Sequence, residues 1–172
     1  MYLDVCYTGF MISIREYQDS DKLTIIDWFK QLHDYLVSLD PIKRLRRAPE
    51  YGEVFFDSSF KQVVEGNGKI FIASDLGVDV GFVSGFIEKQ SEKNMLELVP
   101  TKLGIVMDLF VVETHRKQGI GEALLKQMER YLISQGCDGL WVNVVAFNPA
   151  LDFYKKKGYM EREVGLIKRV EL

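Results

Sequence analysis

The sequence predicts a single α/β domain built around a mixed β-sheet. Segments with strand-like alternation or short apolar runs are interleaved with segments of helical periodicity, in the order β-α-α-β-β-β-α-β-α-β. This order favours helices packed on the faces of one sheet. The 172 residues suit one domain, and a composition of 47% hydrophobic and 27% charged residues is typical of globular proteins.

The first half of the chain supplies one strand and two helices. Residues 12–15 alternate apolar and polar side chains, which predicts a strand. Residues 21–39 repeat apolar side chains at spacings of three and four, which predicts an amphipathic helix. A basic, proline-flanked loop at 40–50 leads to a second helix at about 52–65, which ends at Gly66.

The second half begins with a predicted hairpin, formed by residues 69–74 and 80–89 around a turn near Gly77. An irregular connection follows at 91–104. The remaining predicted elements are an apolar strand at 103–112, a helix at 120–135, a strand at 139–145, a short helix capped by Asn148 and stopped by Gly158, and one or two strands within 159–172.

Composition and charge exclude several classes of protein. A net charge of -3 argues against a general nucleic-acid-binding protein, and no apolar run approaches the roughly 20 residues of a membrane span. Cys6 and Cys137 are far apart and lack the spacing of metal ligands, which suits a reducing compartment. We therefore predict a cytoplasmic protein with no metal, nucleic-acid or membrane partner.

The first ten residues lack the basic start and long apolar centre of a signal peptide. The clearer strand pattern begins after them. We predict that residues 1–10 are an N-terminal extension or leader and that residues 11–172 form the domain.

The segment RKQGIG at 116–121 lies where the apolar strand leads into a helix. The N-terminus of a helix exposes unpaired N–H groups and partial positive charge, and glycines let an anion approach the backbone. Arg116 and Lys117 add positive charge, so the segment predicts a phosphate or pyrophosphate site. It is neither a P-loop nor a dinucleotide fingerprint, because Leu124 stands where the latter has its third glycine. A tight strand-to-helix turn is the alternative for the glycines alone.

A second motif follows the loop in the sequence. Arg-x-x-Gly-x-Gly after an apolar strand, followed by a helix, a strand and the segment NPALDFYKKKGY at 148–159, resembles the GCN5-related N-acetyltransferase (GNAT) superfamily. The resemblance in motif covers about 105–160. It implies a single-domain fold whose mixed, mostly antiparallel central sheet is flanked by helices and splayed at the strand that binds acetyl-CoA.

The resemblance also implies acetyl-CoA as cosubstrate. Backbone N–H groups of the loop would hold its pyrophosphate, the preceding strand would pair with its pantetheine arm, and Asn148 would contact that arm while its carbonyl caps a helix. The residues implied to bind acetyl-CoA are Phe110, Val111, Val112, Arg116, Lys117, Gln118, Gly119, Ile120, Gly121, Asn148 and Tyr154.

Two residues are candidates for proton transfer. Tyr154 matches the family tyrosine near the thioester sulfur, where a hydroxyl helps a thiolate of pKa about 8.5 to leave. Asp108, the only charge in its apolar strand, is the candidate base or amine anchor, with Glu88 and Glu97 in reserve. The stretch MDLFV resembles diamine acetyltransferases, but Met107 replaces an acidic residue of those enzymes, which weighs against a polyamine substrate.

We therefore predict an acetyl-CoA-dependent N-acetyltransferase acting on a primary amine of a small molecule or peptide. Cys137 lacks an activating neighbour, which favours direct attack in a ternary complex over an acetyl-cysteine intermediate. A non-catalytic coenzyme A-binding or sensing module is the main alternative, and a protein that binds ATP or a dinucleotide is a third hypothesis.

Two further features have open alternatives. The basic side chains of residues 43–47 would contact an acidic acceptor or the 3′-phosphate of the nucleotide, although charge runs of this kind more often form a solvated, mobile loop. Dimers are common in the superfamily, so a homodimer formed through the final strands is the alternative to a monomer.

Overall fold

The computed structural model describes residues 3–7 and 10–168, and six strands of that part form one sheet in the order of the chain. The strands are β1 (Leu3–Tyr7), β2 (Phe10–Glu16), β3 (Lys69–Asp75), β4 (Val78–Ile87), β5 (Leu103–Val111) and β6 (Gly139–Val142). The helices are α1 (Lys22–Leu39), α2 (Tyr51–Glu65), α3 (Glu92–Glu97), α4 (Ile120–Ser134) and α5 (Ala150–Lys155). Neighbouring strands are antiparallel except β5 and β6, which are parallel. The predicted mixed, mostly antiparallel sheet is confirmed.

The sheet separates two hydrophobic clusters, because successive strand residues point to opposite faces. On one face, Ile70 and Ile72 of β3 pack in a cluster with α1 and α2. On the other face, Phe71 and Ala73 pack in a cluster with α4 and Tyr154 of α5. No helix in the described part of the chain is long and apolar enough to cross a membrane.

Three segments differ from the predicted element order. Residues 3–7, within the predicted extension or leader, pair with β2 as an edge strand. The connection predicted as irregular contains α3, whose N-cap Ser91 accepts a hydrogen bond from the Asn94 N–H. The final strands predicted within 159–172 are absent from 159–168, and the last four residues lie outside the described part. Residues 159–168 form no ladder with the sheet, and Leu166 is 94% exposed, so the apolar pattern alone did not produce a strand.

The sheet opens between β5 and β6. Their pairing ends at Val106 and Val142, where β6 stops, while β5 continues to Val111. One edge of β5 therefore faces a gap over its last five residues. A β-bulge also interrupts the pairing of β4 with β5, because Gly85 pairs with Val106 and Ser84 with Asp108, which leaves Met107 as the extra residue.

An ion-pair network fixes the start of α1 to the sheet. Arg15 donates two hydrogen bonds to the Asp21 carboxylate, at 2.6 and 3.0 Å, and one to Asp79 at 2.8 Å. Asp21 also accepts the Gln18 N–H at 2.8 Å. The hydrogen bonds from Arg15 and Gln18 hold the pKa of Asp21 below its usual range. These bonds connect β2, the β3–β4 hairpin and the turn that leads into α1.

We expect Asp21→Asn to lower the free energy of unfolding at pH 7 by about 1–3 kcal/mol, because Arg15 loses its charged, bidentate partner. The lowered pKa means that this stability is present above the unfolded-state pKa of about 4 and is lost as the pH falls through the folded-state pKa. The difference in free energy of unfolding between wild type and variant should therefore become smaller below about pH 4. Urea denaturation over a pH series measures both effects.

Asp57→Asn is the matched control. Asp57 pairs with Lys22 at 3.0 Å, but its side chain is 67% exposed, so the loss should be no more than about 1 kcal/mol. Equal losses for the two variants would show that the Arg15 network contributes no more than a surface ion pair.

Candidate active site

The open edge of β5 presents unpaired backbone groups. Val112 donates its N–H to the Val80 carbonyl at 2.9 Å, so residues 108, 110 and 112 direct their backbone groups towards β4. The two groups of a strand residue point the same way, and successive residues alternate. Leu109 and Val111 therefore direct their N–H and C=O groups into the gap beside β6, where the Val111 carbonyl accepts a hydrogen bond from Arg116 and the other groups have no neighbouring strand. Such an edge can pair with an extended, amide-containing ligand as with an added strand.

Only some of the strand residues predicted to bind the cosubstrate have their backbone groups directed towards the gap. Phe110 has its backbone towards β4 and its side chain buried in the cluster of α1 and α2, and the backbone of Val112 also faces β4. Val111 faces the gap. Sequence reasoning missed Leu109, because the direction of its backbone groups depends on the register with β4, which no local pattern reveals.

The loop between β5 and α4 ends in an uncapped helix N-terminus. Gly119 lies at the N-cap of α4 with φ of 84°, a left-handed conformation that favours glycine, and no side chain caps the helix. Lys117 also has a positive φ, of 61°. A Cβ on Gly121 would have its nearest neighbour, Val111 Cγ2, at 3.8 Å, so space is open beside the first turn. The first N–H groups of this 15-residue helix are thus accessible to an anion.

The two polar side chains that flank Lys117 brace the loop. Arg116 Nε donates to the Val111 carbonyl at 3.0 Å, and its guanidinium lies over the Tyr35 ring of α1, 5.1 Å from the centroid. Gln118 Nε2 donates to the Thr114 carbonyl at 3.1 Å. The Gln118 Oε1 atom is buried without a hydrogen-bond partner in the described residues. Arg116 therefore contributes to the position of the loop as well as to its charge.

Asn148 caps α5 as the sequence predicts. Its Oδ1 accepts the Ala150 N–H at 3.0 Å. Within the described residues, its amide nitrogen donates no hydrogen bond to the protein, which leaves that group for a ligand. Both roles expected of Asn148 are therefore compatible with its geometry.

Tyr154 of α5 is 6% exposed and packs edge-on against Phe153 and Tyr159, with ring centroids 5.2 and 5.6 Å away. Burial, with a contribution from the charge of Asp108, raises the pKa of Tyr154 above the usual tyrosine range. Its hydroxyl therefore stays protonated at neutral pH and is a proton donor. Tyr154 packs in the cluster on the α4 side of the sheet.

The bulge at Met107 decides which way Asp108 points. Met107 and Phe110 pack on the side of α1 and α2, whereas Val106 and Leu109 pack on the side of α4. Asp108 shares the face of Phe110, two residues on, and so points to the α1–α2 side. Counted from Val106 in an unbroken strand, it would point to the α4 side.

Ser84 of β4 holds Asp108 in place. Its Oγ donates to Asp108 Oδ2 at 3.0 Å and accepts the Asp108 N–H at 3.2 Å. Burial raises the pKa of Asp108 to about 6, and the hydrogen bond from Ser84, which favours the charged form, limits this rise. Asp108 is therefore mostly ionised at pH 7 and able to accept a proton.

Tyr51, at the start of α2, packs on the same side of the sheet as this carboxylate. Burial and the charge of Asp108 raise the pKa of Tyr51 to about 12. Its ring stacks on His33, with centroids 4.0 Å apart, and on Phe55, with centroids 4.9 Å apart. Tyr51 lies 57 residues before Asp108 in the chain, so no local sequence pattern connects the two residues.

The reserve carboxylates are not brought to this site. Glu88 is exposed and donates its N–H to the Leu103 carbonyl, five residues before Asp108 on β5, or about 16 Å at the rise of a strand. Glu97 is exposed in α3. In the described residues, no three His, Cys, Asp or Glu side chains gather as metal ligands.

Comparisons with known proteins bear on the family to which the chain belongs. The model of the Acetyltransferase (GNAT) family matches residues 24–159. An N-alpha-acetyltransferase of Sulfurisphaera tokodaii is 32% identical over 127 residues, which cover 72% of this chain and 73% of that protein.

Two solved structures share the fold. A putative acetyl transferase from Pyrococcus furiosus aligns with a TM-score of 0.67 at 23% identity, over 92% of this chain and 99% of that chain. An aminoglycoside N-acetyltransferase, AAC(6')-Iy, solved in complex with CoA, aligns with a TM-score of 0.70 at 16% identity, over 98% of this chain and 100% of that chain.

The left-handed conformation at Gly119 gives the first test of the predicted coenzyme A site. We expect Gly119→Ala to destabilise the fold by about 1–2 kcal/mol, because L residues pay this cost for the left-handed conformation. It should also reduce the thermal shift produced by acetyl-CoA, which for wild type at 100 times the dissociation constant corresponds to about 2.7 kcal/mol.

Gly136→Ala is the matched control. Gly136 has the same left-handed conformation, with φ of 83°, at the opposite end of α4, so its substitution should cost similar stability and leave the acetyl-CoA shift intact. ATP and NAD serve as ligand controls. A shift with ATP, or a full acetyl-CoA shift in Gly119→Ala, would contradict the assignment of this loop.

Proposed function

The chain belongs to the Acetyltransferase (GNAT) family, and from this premise we propose that it moves the acetyl group of acetyl-CoA to a primary amine by direct attack in a ternary complex. The observation that carries the proposal is the open edge of β5, which has a half-buried carboxylate, Asp108, on its α1–α2 side and a buried hydroxyl, Tyr154, in the cluster on its α4 side. A site of this kind can take a proton from one reactant and give one to the other.

The residues present fit acetyl-CoA. The N–H groups at the start of α4 would bind its pyrophosphate, and the backbone groups of Leu109 and the N–H of Val111 would pair with the amides of its pantetheine arm. The free amide of Asn148 would add a hydrogen bond to the arm. Acetyl-CoA itself supplies an acetyl group already activated as a thioester.

Asp108 would bind and deprotonate the acceptor amine. An amine in water is mostly an ammonium ion, which has no lone pair for attack, and a buried carboxylate both attracts the cation and accepts its proton. Because Asp108 lies on the α1–α2 side of β5, the acceptor would bind on that side. Tyr154, whose pKa is raised, would donate its proton to the departing thiolate sulfur.

Direct attack is favoured over a covalent enzyme intermediate. Burial raises the pKa of the Cys137 thiol, and a thiol without thiolate character is a poor nucleophile. Cys137 also lies beyond the end of α4, next to the start of β6, and not among the groups around Asp108.

The acceptor that we propose is the amino terminus of a peptide. The similar protein of Sulfurisphaera tokodaii is named an N-alpha-acetyltransferase. Release of free thiol from acetyl-CoA, measured with a panel of peptides, polyamines and aminoglycosides, tests the function. Binding of acetyl-CoA with no acetylation of any amine would indicate a sensing module instead.

Tyr154→Phe removes the proposed acid and keeps the ring. We expect kcat to fall by a factor on the order of 100, with little change in the KM for acetyl-CoA. Tyr159→Phe is the control, because the hydroxyl of Tyr159 donates to Glu129 at 3.0 Å and has no part in the proposed chemistry. Unchanged kcat in Tyr154→Phe would remove Tyr154 from the mechanism.

The pH dependence tests Asp108. Protonated Asp108 cannot accept a proton, so kcat/KM should rise with pH through an inflection near 6. Ser84→Ala should move this inflection to higher pH, because the hydrogen bond that favours the ionised form is lost. Asp108→Asn should abolish the inflection. An inflection that is identical in wild type and Ser84→Ala would show that another group titrates.

A further inference from the structure

The loop between α1 and α2 carries a cluster of unpaired cations. Lys43, Arg44 and Arg46 are exposed, and within the described part of the chain none of them has a carboxylate partner. Arg47 differs, since its Nε contacts Asp34 Oδ1 at 2.6 Å. Residues 43–46 thus carry three positive charges without ion-pair partners, although the net charge of the whole chain is -3.

The backbone of this loop is held in place. Asp40, which is 7% exposed, accepts the N–H groups of Ile42, Arg44 and Leu45 at 3.0, 2.6 and 2.7 Å. His33 Nε2 lies 2.9 Å from the Arg46 carbonyl. The cations therefore project from a fixed backbone, in contrast to the mobile loop that their charge run suggests from sequence.

The same loop borders the proposed acceptor site. The ring of His33, whose Nε2 contacts the Arg46 carbonyl, stacks on Tyr51 with ring centroids 4.0 Å apart. Tyr51 packs in the cluster of α1 and α2 together with Met107 and Phe110, which lie before and after Asp108 on that face of β5. The loop thus lies on the same face of the sheet as Asp108.

The face of the sheet assigns these cations to the acceptor rather than to the nucleotide. The loop connects the two helices of the α1–α2 face, towards which Asp108 points. The proposed pyrophosphate site is at the start of α4, which packs on the opposite face. A carboxylate inside the site and cations at its rim create a field that favours a positive group within and negative groups further out.

We propose that the acceptor is a peptide amino terminus followed by acidic side chains, which Lys43, Arg44 and Arg46 bind while Asp108 receives the amine. This inference rests on the proposed function and specifies its substrate. Three separate cations on one loop match more than one acidic group of a peptide.

The test compares two amidated tetrapeptides, one with glutamate at its second and third positions and one with glutamine there. We expect kcat/KM to be higher for the glutamate peptide by a factor on the order of ten, since exposed ion pairs each contribute a modest amount. This preference should shrink as ionic strength rises from 0.01 to 0.15 M, over which the screening length falls from about 30 to about 8 Å.

The variant Lys43→Gln/Arg44→Gln/Arg46→Gln should lower kcat/KM for the glutamate peptide to that for the glutamine peptide. Lys61→Gln/Lys89→Gln/Lys93→Gln removes the same charge from exposed positions near the far ends of α2 and β4, and should keep the preference. Both variants retain the Asp40 contacts, which involve backbone N–H groups.

The outcomes separate the inference from the function on which it rests. Equal turnover of the two peptides, or better turnover of free glutamate, would overturn the inference and leave the acetyl transfer intact. A raised KM for acetyl-CoA in the loop variant, with the preference kept, would assign the cations to the nucleotide phosphate and also overturn it. No turnover of any amine would overturn the proposed function and the inference together.

Discussion

The early end of β6 is the constraint on which the rest of the site depends. Beyond Val106 one edge of β5 has no neighbouring strand, although the strand continues to Val111. Leu109 and the N–H of Val111 present unpaired backbone groups to that gap, and such groups bind extended ligands well. In the proposed mechanism, a donor on the α4 side and an acceptor on the α1–α2 side would meet at this gap.

The chemistry of the site follows from which groups are buried beside this gap. Desolvation disfavours charge, so it raises the pKa of both Asp108 and Tyr154, with opposite consequences for their roles. Tyr154 is kept as a neutral hydroxyl that can donate a proton. Asp108 is brought towards neutrality, but the hydrogen bond from Ser84 opposes this change and keeps the carboxylate largely ionised at pH 7.

Charged groups outside the gap are divided between the same two faces of the sheet. In the proposed function, the positive end of α4 and the loop before it would bind the anionic part of acetyl-CoA on one face, and the cations of the α1–α2 loop lie on the other. Asp40 holds the second set through backbone N–H groups, whereas the side chains of Arg116 and Gln118 brace the first. The two proposed binding regions therefore rest on different elements.

Local patterns in the sequence by themselves determined most elements of the fold and the identity of the loop before α4. The apolar periodicity of a helix or strand reflects the face that it buries, so it can be read within one segment. The left-handed conformation of Gly119 and the cap formed by Asn148 likewise depend only on adjacent residues. The final strands were predicted on the same basis, and 159–168 form none, because a strand also needs a neighbour to pair with. Only the tertiary structure decided the direction of Asp108, which the bulge at Met107 turns towards α1 and α2. Its partners Ser84 and Tyr51 come from distant segments, and their contacts depend on strand register and helix packing, which local periodicity does not encode.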